Sequence, residues 1–528
     1  MNTAFDKHSM IAGQWVEGKG QTFESWDPSK NQAIATVSSC TISDIKHALA
    51  AAVDAKKVLD TKSSADIASF LQTLADEIEA LKADFIPVAM AETGLPEARL
   101  QGETGRTSGQ IRAFATLVAE GSWQQASIDT ADAKRQPVPK PDVRAMNISL
   151  GPVAVFGASN FPFAFGTLGG DSAAALAAGN PIIVKGHPSH PLTSRYFAQA
   201  MLSALEKSGF PMGTFALLQG SGHELGSELV KHPDIKAVGF TGSLGGGRAL
   251  MDIAANRDEP IPVYAEMGSI NPVFIMPEAL ANRSDAIAQG LASSIAMGCG
   301  QFCTSPGLIV CLQSELPQLL AQYLSEQSPG TMLNPGIADA MQSALANRQS
   351  NHQVQFLTGG LSDTPLTPPA SLMQIRAADF LANGEAIAEF SEEIFGPASL
   401  VVSCESVDEL LNVAENLSGN LTATIHADDY QSTPLTQLLT LLKPRTGRIL
   451  FNGYPTGVEV CQSMQHGGPY PASSFAHASS VGTAAINRFV SRNAYQNWPD
   501  ELLPAELQNA NPLGILRLVD NHYSRTAL

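Results

Sequence analysis

Apolar residues recur at helical spacing through residues 43–60 (SDIKHALAAAVDAKKVLD) and again through 65–85 (ADIASFLQTLADEIEALKADF), which predicts helices across 41–82. Ser43 is placed to cap the first of them. A further helix is predicted over 95–120, ending near Gly121, and the Pro- and charge-rich stretch 130–145 reads as a loop or extended connector. From residue 148 the pattern changes. Short apolar runs at 152–157, 181–186, 215–220, 236–242 and 271–276 alternate with helical stretches near 164–179, 192–208, 223–231 and 245–256. Such alternation predicts right-handed strand–helix–strand units in a parallel sheet covered on both faces, an architecture that binds nucleotides where the strand order reverses. A second alternating region runs through 308–312, 399–403, 422–427 and 448–453. The polar tail after about residue 480 reads as an arm packed on another surface.

Composition narrows the class. The 528 residues are enough for about three units of ordinary domain size. With 44% hydrophobic and 16% charged residues the chain is globular and not disordered. Its net charge of −18 argues against a nucleic-acid or anionic-membrane partner, since either needs a basic face. The first twenty residues hold no continuous apolar stretch of the signal-peptide kind, and no apolar run approaches the roughly 20 residues of a membrane span. Six cysteines, sparse and unpatterned, read as free thiols in a reducing compartment, so the expected location is the cytoplasm.

Four segments carry candidate chemistry. In MGCGQFCTSPG (297–307), Cys299 and Cys303 stand four apart with no histidine or further cysteine close by, which disfavours zinc. Both suit small buried fillers, whereas the flanking glycines and the Thr-Ser-Pro turn suit a nucleophile. Glu266, inside the apolar run VYAEMG, is either an edge-strand carboxylate facing water or a buried general base with a raised pKa. GFTGSLGGG (239–247) can admit phosphates or a ribose at a strand end, although it lacks the GxGxxG spacing. His187 and His190 lie between prolines, where a helical metal site is implausible, and are read as loop residues.

Six segments in register, SNFP (159–162), IIVKG (182–186), FTGS (240–243), AEMGS (265–269), GQFC (300–303) and EEIFGP (392–397), make nearly the whole chain resemble the aldehyde dehydrogenase superfamily. Within it, MGSINPVF, QHGGPYPAS (465–473) and SVGTAAINRF (480–489) resemble the branch acting on 2-oxoglutarate semialdehyde (2,5-dioxopentanoate), and a fatty-aldehyde member is also similar. The resemblance implies an α/β fold with a Rossmann-type cofactor domain (1–130 and 151–267), an α/β catalytic domain (268–480) and bridging or oligomerisation segments (131–150 and 481–528). It further implies a homodimer or a dimer of dimers.

By motif, the resemblance makes Cys303 the nucleophile, Asn160 with the Cys303 backbone N–H the oxyanion donors, and Glu266 the base that hydrolyses the thioester. Glu266 therefore favours hydrolysis over transfer to CoA, and no metal is needed. Lys185, Gly242, Ser243, Gly247, Glu393 and Phe395 are the implied cofactor residues. The chain departs from the common pattern at Gly268-Ser269, where relatives have Gly-Lys. Relatives that prefer NAD also carry an acid three residues after the strand-end lysine, where Pro188 stands here. An acid there would repel a 2′-phosphate, so its absence leans the cofactor from NAD toward NADP. Family register puts Arg106 where many relatives carry an apolar residue lining the aldehyde tunnel. Gly102, Arg106 and Gln110 form a polar stripe on one helix face. The implied walls are Phe161, Ala164 and Leu168 on one side and Pro455, Thr456 and His466 on the other. A guanidinium there suits a short aldehyde with a distal carboxylate.

Overall fold

The computed structural model describes residues 7–528, so the first six residues of the expected cofactor-binding unit lie outside the described part. Five strands pair in parallel in the order Val263–Glu266, Ala237–Thr241, Val153–Phe156, Ile182–Lys185 and Phe215–Leu218. An antiparallel hairpin, Ser9–Ile11 and Gln14–Val16, extends the far edge. The strands are buried on both faces, which is why they read as continuous apolar runs. Val153 and Val155 pack with Phe163 and Phe197 on one face, while Ala154 and Phe156 pack with Leu229 and Leu250 on the other.

The second sheet, also of seven strands, runs Gln355–Thr358, Ser371–Arg376, Ala398–Cys404, Leu308–Leu312, Val273–Ile275, Asn420–His426 and Thr446–Phe451, parallel except for the first pair. A third sheet joins Ser127–Asp129 and Val143–Ser149 to Val490–Gln496, Arg517–Val519 and His522–Ser524.

Several sequence expectations change. The run 271–276, grouped by pattern with the first sheet, supplies Val273–Ile275 at the middle of the second; the strand that completes the first sheet is Val263–Glu266. The helix expected over 164–179 is only Gly170–Ala177. Residues 161–169 form tight turns instead, in which a Cβ on Gly166 would sit 1.9 Å from the Pro162 carbonyl oxygen. The helix Ile42–Leu59 starts after Thr41, not Ser43, because the Asp44 carboxylate accepts from both the Thr41 N–H (2.7 Å) and its hydroxyl (2.8 Å). The strands Thr22–Asp27 and Gln32–Ser38 and the separate helix Lys82–Thr93 carried no clear periodic signal.

Candidate active site

In the first sheet the strand order reverses between Val153–Phe156 and Ala237–Thr241, so the segments leaving their carboxyl ends diverge and open a cleft. This cleft, about 610 Å³, is bordered by Ala158, Ser159 and Asn160 from one strand end and Gly242, Ser243 and Gly245 from the other. Its far wall, from the second unit, includes Glu393, Ile394 and Phe395. A second cavity, about 370 Å³, lies between the helix Glu97–Glu120 and residues 456–458, lined also by Phe161, Phe165 and Phe302. Cys303 borders both spaces.

Cys303 follows a turn in which Gly298, Cys299 and Gly300 all have left-handed backbone, with φ of 57°, 57° and 64°. At Gly300 a Cβ would lie 2.1 Å from the Gly396 carbonyl oxygen, so only glycine lets GQFC close onto EEIFGP. The two cysteines separate clearly. Cys299 is 1% exposed, its thiol faces Met332 and the Gly330 carbonyl, and burial pushes it up to about 12: it is a filler. The Cys303 Sγ lies 3.4 Å from His466 Nε2, and its carbonyl accepts from Asn271 Nδ2 at 2.8 Å.

Glu266 ends the edge strand Val263–Glu266 yet is only 4% exposed. Residues 472–474 cover it: Met267 N–H donates to Ala472 and Ser474 N–H to Ala265. Its Oε1 lies 3.1 Å from His466 Nε2 and its Oε2 accepts from the Ser480 hydroxyl. Burial alone would raise this carboxyl. His466, Ser480 and the Cys303 thiol outweigh burial and hold it below its ordinary value, the opposite of the raised pKa expected from sequence. The Cys303 thiol is pushed well up, by burial first, then by Glu266 and Glu393, with Arg106 opposing. A thiol kept protonated beside an ionised carboxylate and an imidazole has its base already in place.

Asn160 Nδ2 donates to the Gln301 carbonyl at 2.8 Å. Its loop is fixed by Glu103, which is buried and accepts from the Phe163 and Ala164 N–H groups at 2.8 and 3.0 Å.

The comparisons with known proteins agree with this geometry. Residues 15–493 match the model of the aldehyde dehydrogenase family. Over 97% of its length the chain is 46% identical to alpha-ketoglutaric semialdehyde dehydrogenase 2 of Azospirillum brasilense, covering 98% of that protein. It is 43% identical to alpha-ketoglutaric semialdehyde dehydrogenase of Acinetobacter baylyi, with 97% of each chain covered. Among solved structures, 3,6-anhydro-L-galactose dehydrogenase in complex with NAP superposes with a TM-score of 0.78 at 22% identity, covering 92% of this chain and 99% of that one. The chain belongs to the aldehyde dehydrogenase family.

In this aldehyde dehydrogenase the sequence-selected residues fall into two groups. Gly242, Ser243, Glu393, Phe395 and Asn160 border the cleft beside Cys303 and Glu266. Ser243 caps the helix Leu244–Ala255, accepting from Gly246 N–H at 3.2 Å, so the helix N-terminus faces the cleft. Burial pushes Glu393 up to about 8, against a Ser269 backbone N–H. Gly247 does not border the cleft: its missing Cβ makes room for Met267, whose Sδ would be 2.5 Å away. The glycine with open space around it is Gly245. Lys185 ends its strand next to His187, which borders the cleft, and burial brings its ammonium down to about 8.

Arg106, Phe161, Thr456 and His466 border the smaller cavity with Cys303. Three other residues read as tunnel walls lie elsewhere. Leu168 is in the core beneath the first sheet, Ala164 is buried with Ala158, Phe165 and Val481, and the Pro455 carbonyl is turned to Arg448. Sequence reasoning missed Ser480 and Glu103, and read His466 as a wall only. The Arg99–Glu103 pair, i and i+4 on one helix, was legible by spacing; the contacts of Ser480 and His466 with Glu266 cross 214 and 200 residues and were not.

Proposed function

We propose that this aldehyde dehydrogenase oxidises 2-oxoglutarate semialdehyde to 2-oxoglutarate with NADP or NAD as acceptor. Arg106 carries this reading. Its Nη1 donates to the Val458 carbonyl at 2.7 Å and no carboxylate among the described residues forms an ion pair with it, while it shares a cavity with Cys303. Its Nε is buried without a partner. The cavity also holds Arg99 and Glu103, which pair with each other at 3.3 Å, so Arg106 is the guanidinium left beside the apolar wall of Phe161, Phe165 and Phe302, and it suits a short aldehyde whose far end is a carboxylate, held through two N–H groups. A long alkyl chain would leave that charge buried and unpaired. The two relatives at 46% and 43% identity bear the name of this substrate, which supports the same choice.

The cleft suits a dinucleotide. The helix N-terminus after Ser243 and the open Gly245 backbone favour a pyrophosphate. Glu393, held largely protonated, can both donate to and accept from ribose hydroxyls. Lys185 and His187, with Pro188 in place of an acid, lean the choice toward NADP. A nicotinamide held in the cleft would supply the hydride acceptor for the carbon bonded to Cys303 Sγ. The protein does the rest. Cys303 Sγ attacks the carbonyl carbon as its proton passes to the His466–Glu266 couple. Asn160 Nδ2 and the Cys303 backbone N–H receive the oxyanion, a donor of this kind being worth about 3–4 kcal/mol of barrier. After oxidation an acyl thioester remains on Cys303. Once the first proton has left to solvent, Glu266 takes a proton from water; the hydroxide adds to the thioester carbon, the C–S bond breaks, and the acid leaves as Cys303 Sγ regains a proton. Residues 131–150 and 481–528, which with Ser127–Asp129 build the third sheet, strand Val490–Gln496 on its edge, serve as the bridging segments of a homodimer or dimer of dimers.

The test is a steady-state panel of 2-oxoglutarate semialdehyde, succinic semialdehyde and hexanal with each cofactor. The carboxylate-bearing aldehydes should have the higher kcat/KM. Preference for hexanal would move the assignment to fatty aldehydes.

A further inference from the structure

Resting on the catalytic reading of Cys303 and Glu266, we propose that Cys303, His466 and Glu266 form a binding site for a single soft divalent cation of the Zn²⁺ class, whose occupation reversibly arrests the enzyme. The ligand atoms, one thiol sulfur, one imidazole nitrogen and one carboxylate oxygen, all lie within 4.8 Å of one another. Two edges are known: Sγ to Nε2 is 3.4 Å, and Nε2 to Oε1 is 3.1 Å. Ligands at about 2.3 Å (sulfur) and about 2.0–2.1 Å (nitrogen, oxygen) around a tetrahedral ion stand roughly 3.3–3.6 Å apart. The two edges at His466 are thus within a few tenths of an ångström of those values, and the third, no longer than 4.8 Å, closes with a side-chain rotation of about 1 Å or less.

Three features beyond spacing favour occupation. The carboxylate is already ordered from behind, because the Ser480 hydroxyl donates to the oxygen that the ion would not use. His466 and Glu266 are buried, so neither must be drawn in from solvent. Cys303 borders both the cofactor cleft and the substrate cavity, which leaves the fourth position open to water and provides an entry path. Arg99 in the same cavity is paired with Glu103, and the remaining Arg106 charge opposes a cation, but the site supplies a thiolate and a carboxylate against it. Binding exchanges the Cys303 proton for the metal: the S–H bond breaks, an S–M bond forms, and the proton leaves to solvent with no change of oxidation state. The occupied nucleophile cannot attack an aldehyde. Soft donors select Zn²⁺, Cd²⁺ or Co²⁺ over Mg²⁺, which prefers an all-oxygen octahedron.

The experiment uses the full-length protein without aldehyde or cofactor, so it does not depend on which substrate is right. Titration with Co²⁺ should give a 1:1 complex with a sulfur-to-metal charge-transfer band in the near ultraviolet. Isothermal titration with Zn²⁺ should give the same stoichiometry. The band should vanish in Cys303→Ser and persist in Cys461→Ser, which removes the exposed cysteine. His466→Asn should weaken Zn²⁺ by at least about tenfold, the low end of what losing a metal-supporting contact costs. In parallel, Zn²⁺ should protect Cys303 from iodoacetamide, chelator should restore alkylation and turnover, and Mg²⁺ at equal concentration should do nothing. A charge-transfer band that survives in Cys303→Ser, equal Zn²⁺ affinity in His466→Asn, or full turnover with the metal bound would each overturn the proposal. Cys303→Ser binding no metal while the wild type oxidises no aldehyde would leave the site standing and sink the catalytic reading.

Discussion

His466 is the residue whose removal discriminates most sharply between a mere tunnel wall and a part of the chemical machinery. One nitrogen, Nε2, contacts both Cys303 Sγ at 3.4 Å and Glu266 Oε1 at 3.1 Å. Nε2 holds one proton at a time, either donated to Glu266 or taken from the thiol, so His466→Ala both removes the neighbour that most stabilises the carboxylate and breaks the link between thiol and carboxylate. Loss of a positioned acid–base group typically costs about 10²–10⁴ in rate, or roughly 3–5 kcal/mol of barrier at 1.36 kcal/mol per factor of ten. We expect kcat/KM to fall by at least about a hundredfold on this basis. The pH profile supplies the sign. In the wild type the Glu266 carboxyl lies below its ordinary 4.5, so it is ionised across the neutral range. Without His466, burial prevails, the carboxyl rises, and the acid limb of kcat/KM moves to higher pH. His466→Gln, which keeps an amide donor near the carboxylate but cannot accept and pass on a proton, should restore the acid limb without restoring the rate. The assays are NAD(P)H production from semialdehyde across pH 5–9 and iodoacetamide alkylation of Cys303 over the same range. A His466→Ala enzyme within about threefold of wild type, with its acid limb unmoved, would refute the reasoning and return His466 to a passive role.

Other expectations follow from the same geometry. Cys303→Ala should abolish turnover while cofactor binding, read by fluorescence, stays within about twofold; Glu266→Gln should give a burst of NAD(P)H followed by slow turnover as acyl-enzyme accumulates. Full steady-state activity in the first, or no burst in the second, contradicts the assigned roles. Arg106→Met should raise KM for carboxylate-bearing aldehydes by roughly 10–100-fold, a charge-assisted bond's worth of about 1.5–3 kcal/mol, and improve relative activity on hexanal. An unchanged preference places the anchor elsewhere. On cofactors, kcat/KM for NADP should equal or exceed that for NAD, and a hundredfold advantage for NAD would reverse the assignment. For stability, Arg488→Met strands the buried Asp171 carboxylate, which now pairs with Arg488 at 2.7 Å. Thermal unfolding should show a loss of about 3–5 kcal/mol, and Asp171→Asn combined with it should recover part of that loss.

Much of the fold was legible because its signals are local. Fully buried parallel strands such as Val153–Phe156 and Ile182–Lys185 are apolar on both faces, and helices such as Pro191–Ser208 are amphipathic, so each announces itself within a short window. The six motif segments likewise named Cys303, Asn160 and Glu393 without any knowledge of distance. Local patterns failed where the deciding contact was remote. Residues 164–169 have a helix-compatible composition, but the Gly166 and Gly169 backbones are pressed against Pro162 and Ala164 and turn instead. The run 271–276 carries the same apolar pattern as its predecessors, and only the pairing of Val273 with Ile309 and Thr424 sends it to the second sheet. Glu266 shows the division most plainly. Its place at the end of an apolar run identifies a carboxylate worth notice, and burial by itself would raise its pKa. Residues 466 and 480, brought back over it by the tertiary fold, supply an imidazole and a hydroxyl that reverse the sign. An ionisation state depends on every charge and dipole within a few ångströms, and those neighbours are a property of three-dimensional packing that no stretch of sequence contains.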